Sequence, residues 1–289
     1  MPEWYSFALA SLLLIGTQRF LYKVAAAKDA STPLTTFTFM ASVALMSGLL
    51  VALSGGGFAA PLPLVLIALA NSLTFSVATM AHIQSLKHLP ASLAYPLIRL
   101  NILVVVFFSL LFLGERLNAW QWLGVAAALA AMLLLSRQWV QDGGGSGDRR
   151  KGLLLVGLAM LSGALSSITC KYAAVSVNTL AFIGLSYCFS TLFVLAVSPG
   201  MFRAGTNPGR RLTAVGIGLA MGAINLAGFY AFLKALSSGP LSLVASINGL
   251  HFMVAVLLAR LVYRERITRM AGLGLALTVA SLVLLRGGS

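Results

Sequence analysis

The sequence predicts an all-α membrane protein, ten transmembrane helices arranged as two inverted five-helix repeats. Three observations carry this. Of the 289 residues 59% are apolar and only 9% are charged, against about 25% charged in a soluble domain. Such a chain has too little polar surface to cover itself in water, which excludes a soluble enzyme and a disordered chain. Apolar runs of about 20 residues, the length of a helix that crosses the hydrocarbon core, recur along the whole chain. Finally, the two halves match each other at a fixed offset.

The runs cover residues 4–23, 34–53, 62–86, 92–113, 120–136, 153–172, 180–197, 212–236, 241–261 and 270–285. Turn residues separate them: Ser54 and the glycines after it, Pro90, Ser198-Pro199-Gly200 and Ser238-Gly239-Pro240. Helices follow, because lipid offers no partner to open backbone groups; a barrel would show short alternating segments instead. The first run is expected to be a retained span, since Glu3 precedes it and no Lys or Arg does, so it lacks the basic start of a signal peptide. Trp4, Trp120, Trp122, Trp139 and Tyr263 sit at run ends, where interfacial belt residues belong. Cys170 and Cys188 lie inside apolar runs, without metal-ligand spacing, and read as small buried hydrophobes. No cofactor or metal is expected.

A polar stretch, 138–151, divides the chain into repeats at 1–137 and 152–289. Its Gly143-Gly144-Gly145-Ser146-Gly147 lacks the Gly-Lys-Ser/Thr ending of a phosphate loop and reads as a flexible linker. Pro90, Glu115 and Gly124 in the first repeat are matched by Pro240, Glu265 and Gly274, each 150 residues later; Lys23-Val24-Ala25-Ala26 is matched by Lys171-Tyr172-Ala173-Ala174, 148 later. Five spans per repeat is an odd number, so the second repeat enters the membrane inverted. That gives a pseudo-two-fold axis in the membrane plane and two related conformations open to opposite sides.

The net charge of +14 would suit nucleic acid, but the Lys and Arg residues sit between apolar runs rather than on one solvated face, so none is expected to bind. The positive-inside rule explains them. Loops after odd-numbered spans hold Lys23, Lys28, Lys87, Arg137, Arg149, Arg150, Lys151, Arg203, Arg210, Arg211, Arg264, Arg266 and Arg269; the other loops and tails hold Arg116, Lys171, Lys234 and Arg286. This bias places both termini outside the cytoplasm, in a cell membrane of the bacterial inner-membrane kind.

Five plus five spans, with Leu89-Pro90 or Gly239-Pro240 before the fourth span of each half and Gly114-Glu115-Arg116 or Arg264-Glu265-Arg266 after it, resemble the drug/metabolite transporter superfamily, and its EamA-type families most. The resemblance covers nearly the whole chain. It implies a ten-helix transporter with a central cavity, and export of metabolites or amino acids as a common activity. The first span also resembles the small multidrug resistance proteins, in Ile15-Gly16-Thr17 and Lys23. Leu13 stands where those proteins carry a membrane glutamate, which counts against proton-coupled export of cationic drugs by their mechanism.

The six acids, Glu3, Asp29, Glu115, Asp142, Asp148 and Glu265, all lie at span ends or in loops. No carboxylate is therefore at hand mid-membrane for a proton relay or for acid/base catalysis. Glu115 and Glu265 are expected to pair with Arg116, Arg266 or helix ends.

Arg99 is the most informative residue. It lies well inside a span, where a charge costs several kcal/mol against lipid unless it faces a polar interior. Tyr95 is one turn before it, and Pro96 can open the helix locally. A guanidinium fork suits a carboxylate or phosphate, while snorkelling is the alternative use. Arg19 and Gln18 near the end of the first span stand between an interfacial anchor and a ligand contact. His251 and Asn248 share a face of the ninth span, Asn225 is mid-span in the eighth with Gly222 and Gly228 near it, Asn71 and His82 mark the third, and Asn101 follows Arg99. Membrane histidines usually make helix–helix hydrogen bonds, yet His82 and His251 are the mid-span groups that titrate near neutral pH. Gly218 and Gly222, with Gly216, read as a close-packing face.

The expected function is alternating-access transport of a small metabolite with an anionic group, such as an amino acid, across the bilayer. Arg99 would bind that group, with Tyr95, Asn101, Asn225, Asn248 and His251 shaping the pocket. A carrier or flippase for lipid-linked phosphates, which also wants a basic groove, and a non-transporting membrane subunit are the alternatives. A membrane enzyme would need a nucleophile, acid or metal cluster that the sequence does not offer.

Overall fold

A computed structural model describes residues 2–54, 61–137, 148–202, 208–264 and 268–287. Trp139, Asp142, Arg203, Glu265, Arg266 and the glycine-rich run at 143–147 lie outside the described residues. The chain forms α1 (Glu3–Ala27), α2 (Thr32–Leu53), α3 (Pro61–Ser85), α4 (Ala91–Arg99), α5 (Asn101–Phe112), α6 (Ala119–Arg137), α7 (Arg149–Ser176), α8 (Thr179–Val197), α9 (Pro208–Ser238), α10 (Leu241–Gly249), α11 (Phe252–Tyr263) and α12 (Arg269–Arg286). Among the described residues nine spans are long and apolar enough to cross a membrane, counting α4–α5 and α10–α11 as one each, and α6 is apolar over Ala119–Leu134. The protein is a multi-pass membrane protein. Leucines such as Leu45, Leu53, Leu111 and Leu212 are exposed around its perimeter, where lipid covers them.

Side chains at the helix starts fix several boundaries. Asp148 accepts from the backbone amides of Arg150 and Lys151, so α7 begins inside the polar stretch expected as linker and takes Arg149, Arg150 and Lys151 into its first turn. Asn178 caps α8 and Thr268 caps α12 in the same way.

The fourth and ninth spans are broken, and at matching places. In the fourth, Pro96 removes one amide donor and the helix gives way at Leu100, whose amide bonds back only three residues, to Leu97. In the ninth there is no proline. The chain turns at Leu250 and His251, whose amides bond to Ile247 and Asn248, again three residues back. The breaks are 150 residues apart, the same offset as the sequence repeat.

Packing obeys the repeat too. The contact of α1 with α9 has its counterpart in α7 with α3, α2 with α9 in α8 with α3, and α1 with α11 in α7 with α5; α2–α8 and α6–α12 pair equivalent helices of the two halves. Small residues permit the closest approaches. A side chain at Gly124 would strike Leu285, and the Ser281 hydroxyl donates to the Gly124 carbonyl across the same seam. Gly218 and Gly222 receive Thr38, Phe39 and Ser42 of α2.

Three expectations are corrected. Gly216 does not join that packing face, since a side chain there would meet nothing; two residues from Gly218, it points away from α2. Trp4 is not an exposed belt residue. It is buried edge-on against Tyr5, over Gly239, because the α9–α10 turn folds across the start of α1. Cys170 is buried but Cys188 is exposed, on the outward face of α8.

Candidate functional site

The two breaks meet in the middle of the bundle. A side chain at Gly249, the last residue of α10, would collide with Ile102 of α5 and Met132 of α6. Gly16 of α1 does the same service for the second break. A Cβ there would lie 2.5 Å from Val254 and 2.6 Å from the His251 carbonyl, so only glycine lets α1 lie against the opened backbone. Just before that break, Ser11 donates to the Asn248 side-chain oxygen at 3.3 Å. The His251 ring packs on Phe252 (4.4 Å between ring centres) with Nδ1 2.7 Å from the Asn248 carbonyl.

Arg99 sits at the end of α4 and reaches across to α11. Its guanidinium carbon lies 4.0 Å from the centre of the Phe252 ring. Stacking on an aromatic face stabilises a desolvated cation by about 2 kcal/mol and leaves the edge N–H donors free. Behind it His82 of α3 meets Tyr95 of α4 edge to face at 4.9 Å. Arg19 stands on α1, among residues that face inward. It lies one turn beyond Gly16, on the helix that packs against the second break. Yet Arg19 is exposed and Arg99 half-buried.

Among the described residues neither guanidinium has a hydrogen bond or a carboxylate partner. The described acids are occupied elsewhere or lie at helix ends. Glu3 opens α1, Asp29 pairs with Arg210 at 3.3 Å, and Asp148 caps α7. Glu115 caps α10, accepting from the Leu241 amide at 2.5 Å, the Ser242 amide at 3.1 Å and the Ser242 hydroxyl at 2.5 Å. Lys171, close to Glu115, closes the preceding helix end by donating to the carbonyls of Leu236 (2.6 Å) and Gly239 (2.9 Å).

The residues singled out from the sequence thus divide. Arg99, Tyr95, His82, Asn248 and His251 lie at or beside the breaks, and Arg19 is exposed on α1, one turn beyond Gly16. Asn225 accepts from the Tyr187 hydroxyl at 2.5 Å, on the α8–α9 wall beside them. Gln18 is buried on α1. Asn71 lies apart, donating to the Ser166 carbonyl and hydroxyl, Thr169 and Cys170 of α7, where it holds two helices together. Asn101 turns toward α7 at Gly163. Sequence reasoning missed Phe252, Tyr187 and the break in the ninth span. The Asn248-Gly249 pair, poor in helix propensity within an apolar run, was the available signal.

The two sides of the site differ. On the side of Glu115 and Lys171, α5 packs along α10, and Leu241, Ser242, Leu243, Val244, Ala245, Ser246 and Ile247 are all buried. On the side of Lys23, α4 and α11 make no comparable contact, and of the α4 residues from Leu93 to Arg99 only Ala94 is buried. Packing is thus closer on the Glu115 side of the site than on the Lys23 side.

Comparison with known proteins agrees with this architecture. Residues 2–137 and 150–287 each match the EamA-like transporter family. An uncharacterized transporter in the cobO 3' region of a Sinorhizobium species is 41% identical over 66 residues, 23% of this chain and 47% of that protein. A probable 4-amino-4-deoxy-L-arabinose-phosphoundecaprenol flippase subunit, ArnE, of Yersinia pestis is 41% identical over 54 residues, 19% of this chain and 47% of that protein. The match spans about half the length of these curated relatives. A solved crystal structure superimposes with a TM-score of 0.76 over 98% of this chain and 96% of its own, at 17% identity, and so shares the fold. With both halves matched, the chain belongs to the EamA-like transporter family.

Proposed function

We propose that this protein is a secondary transporter that exports a small metabolite carrying an anionic group, an amino acid among the candidates, by exposing its central site alternately to the two sides of the membrane. One observation carries this reading: two broken spans meet in the middle of the bundle, where Arg99 stacks on Phe252 and, among the described residues, has no carboxylate partner. Half-helix ends and opened backbone at mid-membrane are how many carriers build substrate sites. The inverted repeat supplies the second conformation. Catalysis has no place in this reading, since the site brings together no nucleophile and acid. The Lys/Arg bias puts both termini outside the cytoplasm of a bacterial inner membrane, and the Lys23 side then faces the cytoplasm. The conformation described is on this reading open inward, ready to load an export substrate.

The test is uptake into proteoliposomes by the Arg99→Ala variant. Transport should fall at least tenfold while the purified variant keeps its helix content and elution profile; undiminished transport would remove Arg99 from the site. A thermal-shift panel of amino acids, nucleobases and phosphorylated metabolites would find the ligand, because binding to the folded state raises apparent stability. The partial likeness to ArnE favours a second reading, a carrier for lipid-linked phosphates. It calls for the same cations with lateral access from lipid.

A further inference from the structure

We infer that Lys23 is a gating residue of the transport cycle: when the Lys23 side of the site closes, its ammonium moves from Tyr263 onto the carbonyls of Leu86 and Leu89 at the end of α3 and ties α1 to α3. The inference rests on the alternating-access reading above and gives one residue of that cycle its task. On the sealed side the equivalent tie is already made. Lys171 donates from α7 to the Leu236 and Gly239 carbonyls at the end of α9, and α7 packs on α9. The Leu236 carbonyl is open to a side chain because Pro240 stands four residues on, where a continuing helix would supply an amide donor. A cation placed there also meets the negative end of the helix dipole.

The parts of this tie recur on the other side, and only the bond is missing. Leu86, Leu89 and Pro90 precede Leu236, Gly239 and Pro240 by 150 residues, and Lys23 precedes Lys171 by 148. Pro90 leaves the Leu86 carbonyl without its helical donor, as Pro240 does for Leu236. Among the described residues no hydrogen bond reaches the carbonyl of Leu86 or of Leu89. The two turns are seated alike as well. A side chain at Gly239 would lie 2.7 Å from Trp4 of α1, and one at Gly152 of α7 would lie 2.6 Å from Leu89. Lys23, however, lies over the Tyr263 ring of α11, 5.7 Å from its centre. Among the described residues α1 makes no contact with α3 comparable to that of α7 with α9. One lysine is thus engaged and its repeat mate withdrawn. Closure of the Lys23 side by the packing seen on the other brings α1 and α3 together and gives the ammonium two acceptors as it loses water.

The experiment uses the full-length protein with Cys170→Ala and Cys188→Ser, in nanodiscs, where a water-soluble maleimide reaches both faces. A reporter is added as Leu93→Cys in α4 or Leu243→Cys in α10, equivalent positions that are half-buried and buried here. Lys23→Gln should hold the Lys23 side open, so Leu243→Cys should label about threefold slower or more while Leu93→Cys labels no slower. Lys171→Gln should act the other way and speed Leu243→Cys about threefold or more. Lys23→Arg, which keeps the charge and donors, should behave as wild type. Unchanged or faster labelling of Leu243→Cys in Lys23→Gln would overturn the inference; so would faster labelling of both reporters, the mark of a merely loosened fold. The same slowing in Tyr263→Leu would also overturn it, because Lys23 would then act through the ring alone. If Leu243→Cys labels in the wild type and Lys23→Gln leaves its rate unchanged, the gate fails while alternating access stands. If Leu243→Cys never labels, even in Lys171→Gln, both fall.

Discussion

The half-helices α4 and α10 occupy equivalent places in the two repeats and have opposite fates. Each starts after a proline in extended conformation, Pro90 or Pro240, and each ends at a break in the middle of the membrane. From Leu241 to Ile247, α10 is buried throughout, sealed by α5 and tied down at its first amides by Glu115. Most of α4 is only half-buried, and Arg99 at its end stacks on Phe252 of α11. Equivalent places in the two repeats thus take two packing states. In an inverted repeat, two such half-helices give one sealed side and one open side. On the alternating-access function proposed above, exchanging their packing states opens the other side without any new kind of contact.

That contrast can be broken from either end. The largest effect is expected at Gly16, which lets α1 lie on the second break. Gly16→Val forces methyl groups into Val254 and the His251 carbonyl and should cost about 3 kcal/mol, seen as early thermal unfolding and loss of the monodisperse peak in detergent. Retention of wild-type thermal stability would show that α1 and α11 are less tightly joined than described. Next comes Glu115→Gln, which gives up the negative charge at the α10 N-terminus, worth about 1–2 kcal/mol. If that cap holds the sealed side shut, a cysteine placed at buried Val244 should react faster with a membrane-impermeant maleimide in the Glu115→Gln background than in wild type. An unchanged labelling rate would mean that α5 packing alone seals it. The smallest effect sharpens the comparison: Gly216→Ala should be neutral or stabilising by up to about 1 kcal/mol, since the added methyl meets nothing and alanine favours the helix. The same change at Gly222 would strike Ser42 and should destabilise. Paired melting curves would separate the two, and equal losses would contradict the packing face as assigned.

Much of the site was legible in the sequence because charge in a membrane is expensive. Arg99 stood out on its own, and the structure sets it on the Phe252 ring, with Tyr95 one turn before it against His82. Hydrogen-bonding residues were harder to sort, because an asparagine binding a ligand and one bridging two helices have the same apolar neighbours in sequence. Asn71 and Asn101 turn toward α7, which only the helix pairing reveals. Phe252 escaped notice because a phenylalanine in an apolar run looks ordinary until a guanidinium is found on its face.

Spans, their number and their duplication follow from local properties, namely run length, turn residues and a constant offset, and each can be read without knowing what packs on what. Which side is sealed cannot be read that way. Pro90 and Pro240 precede half-helices at equivalent places, and the burial of α10 is completed by partners more than a hundred residues away, Glu115 among them. Burial depends on what the rest of the chain places alongside, so tertiary structure alone decided which half-helix is buried and that Arg99 stacks on Phe252.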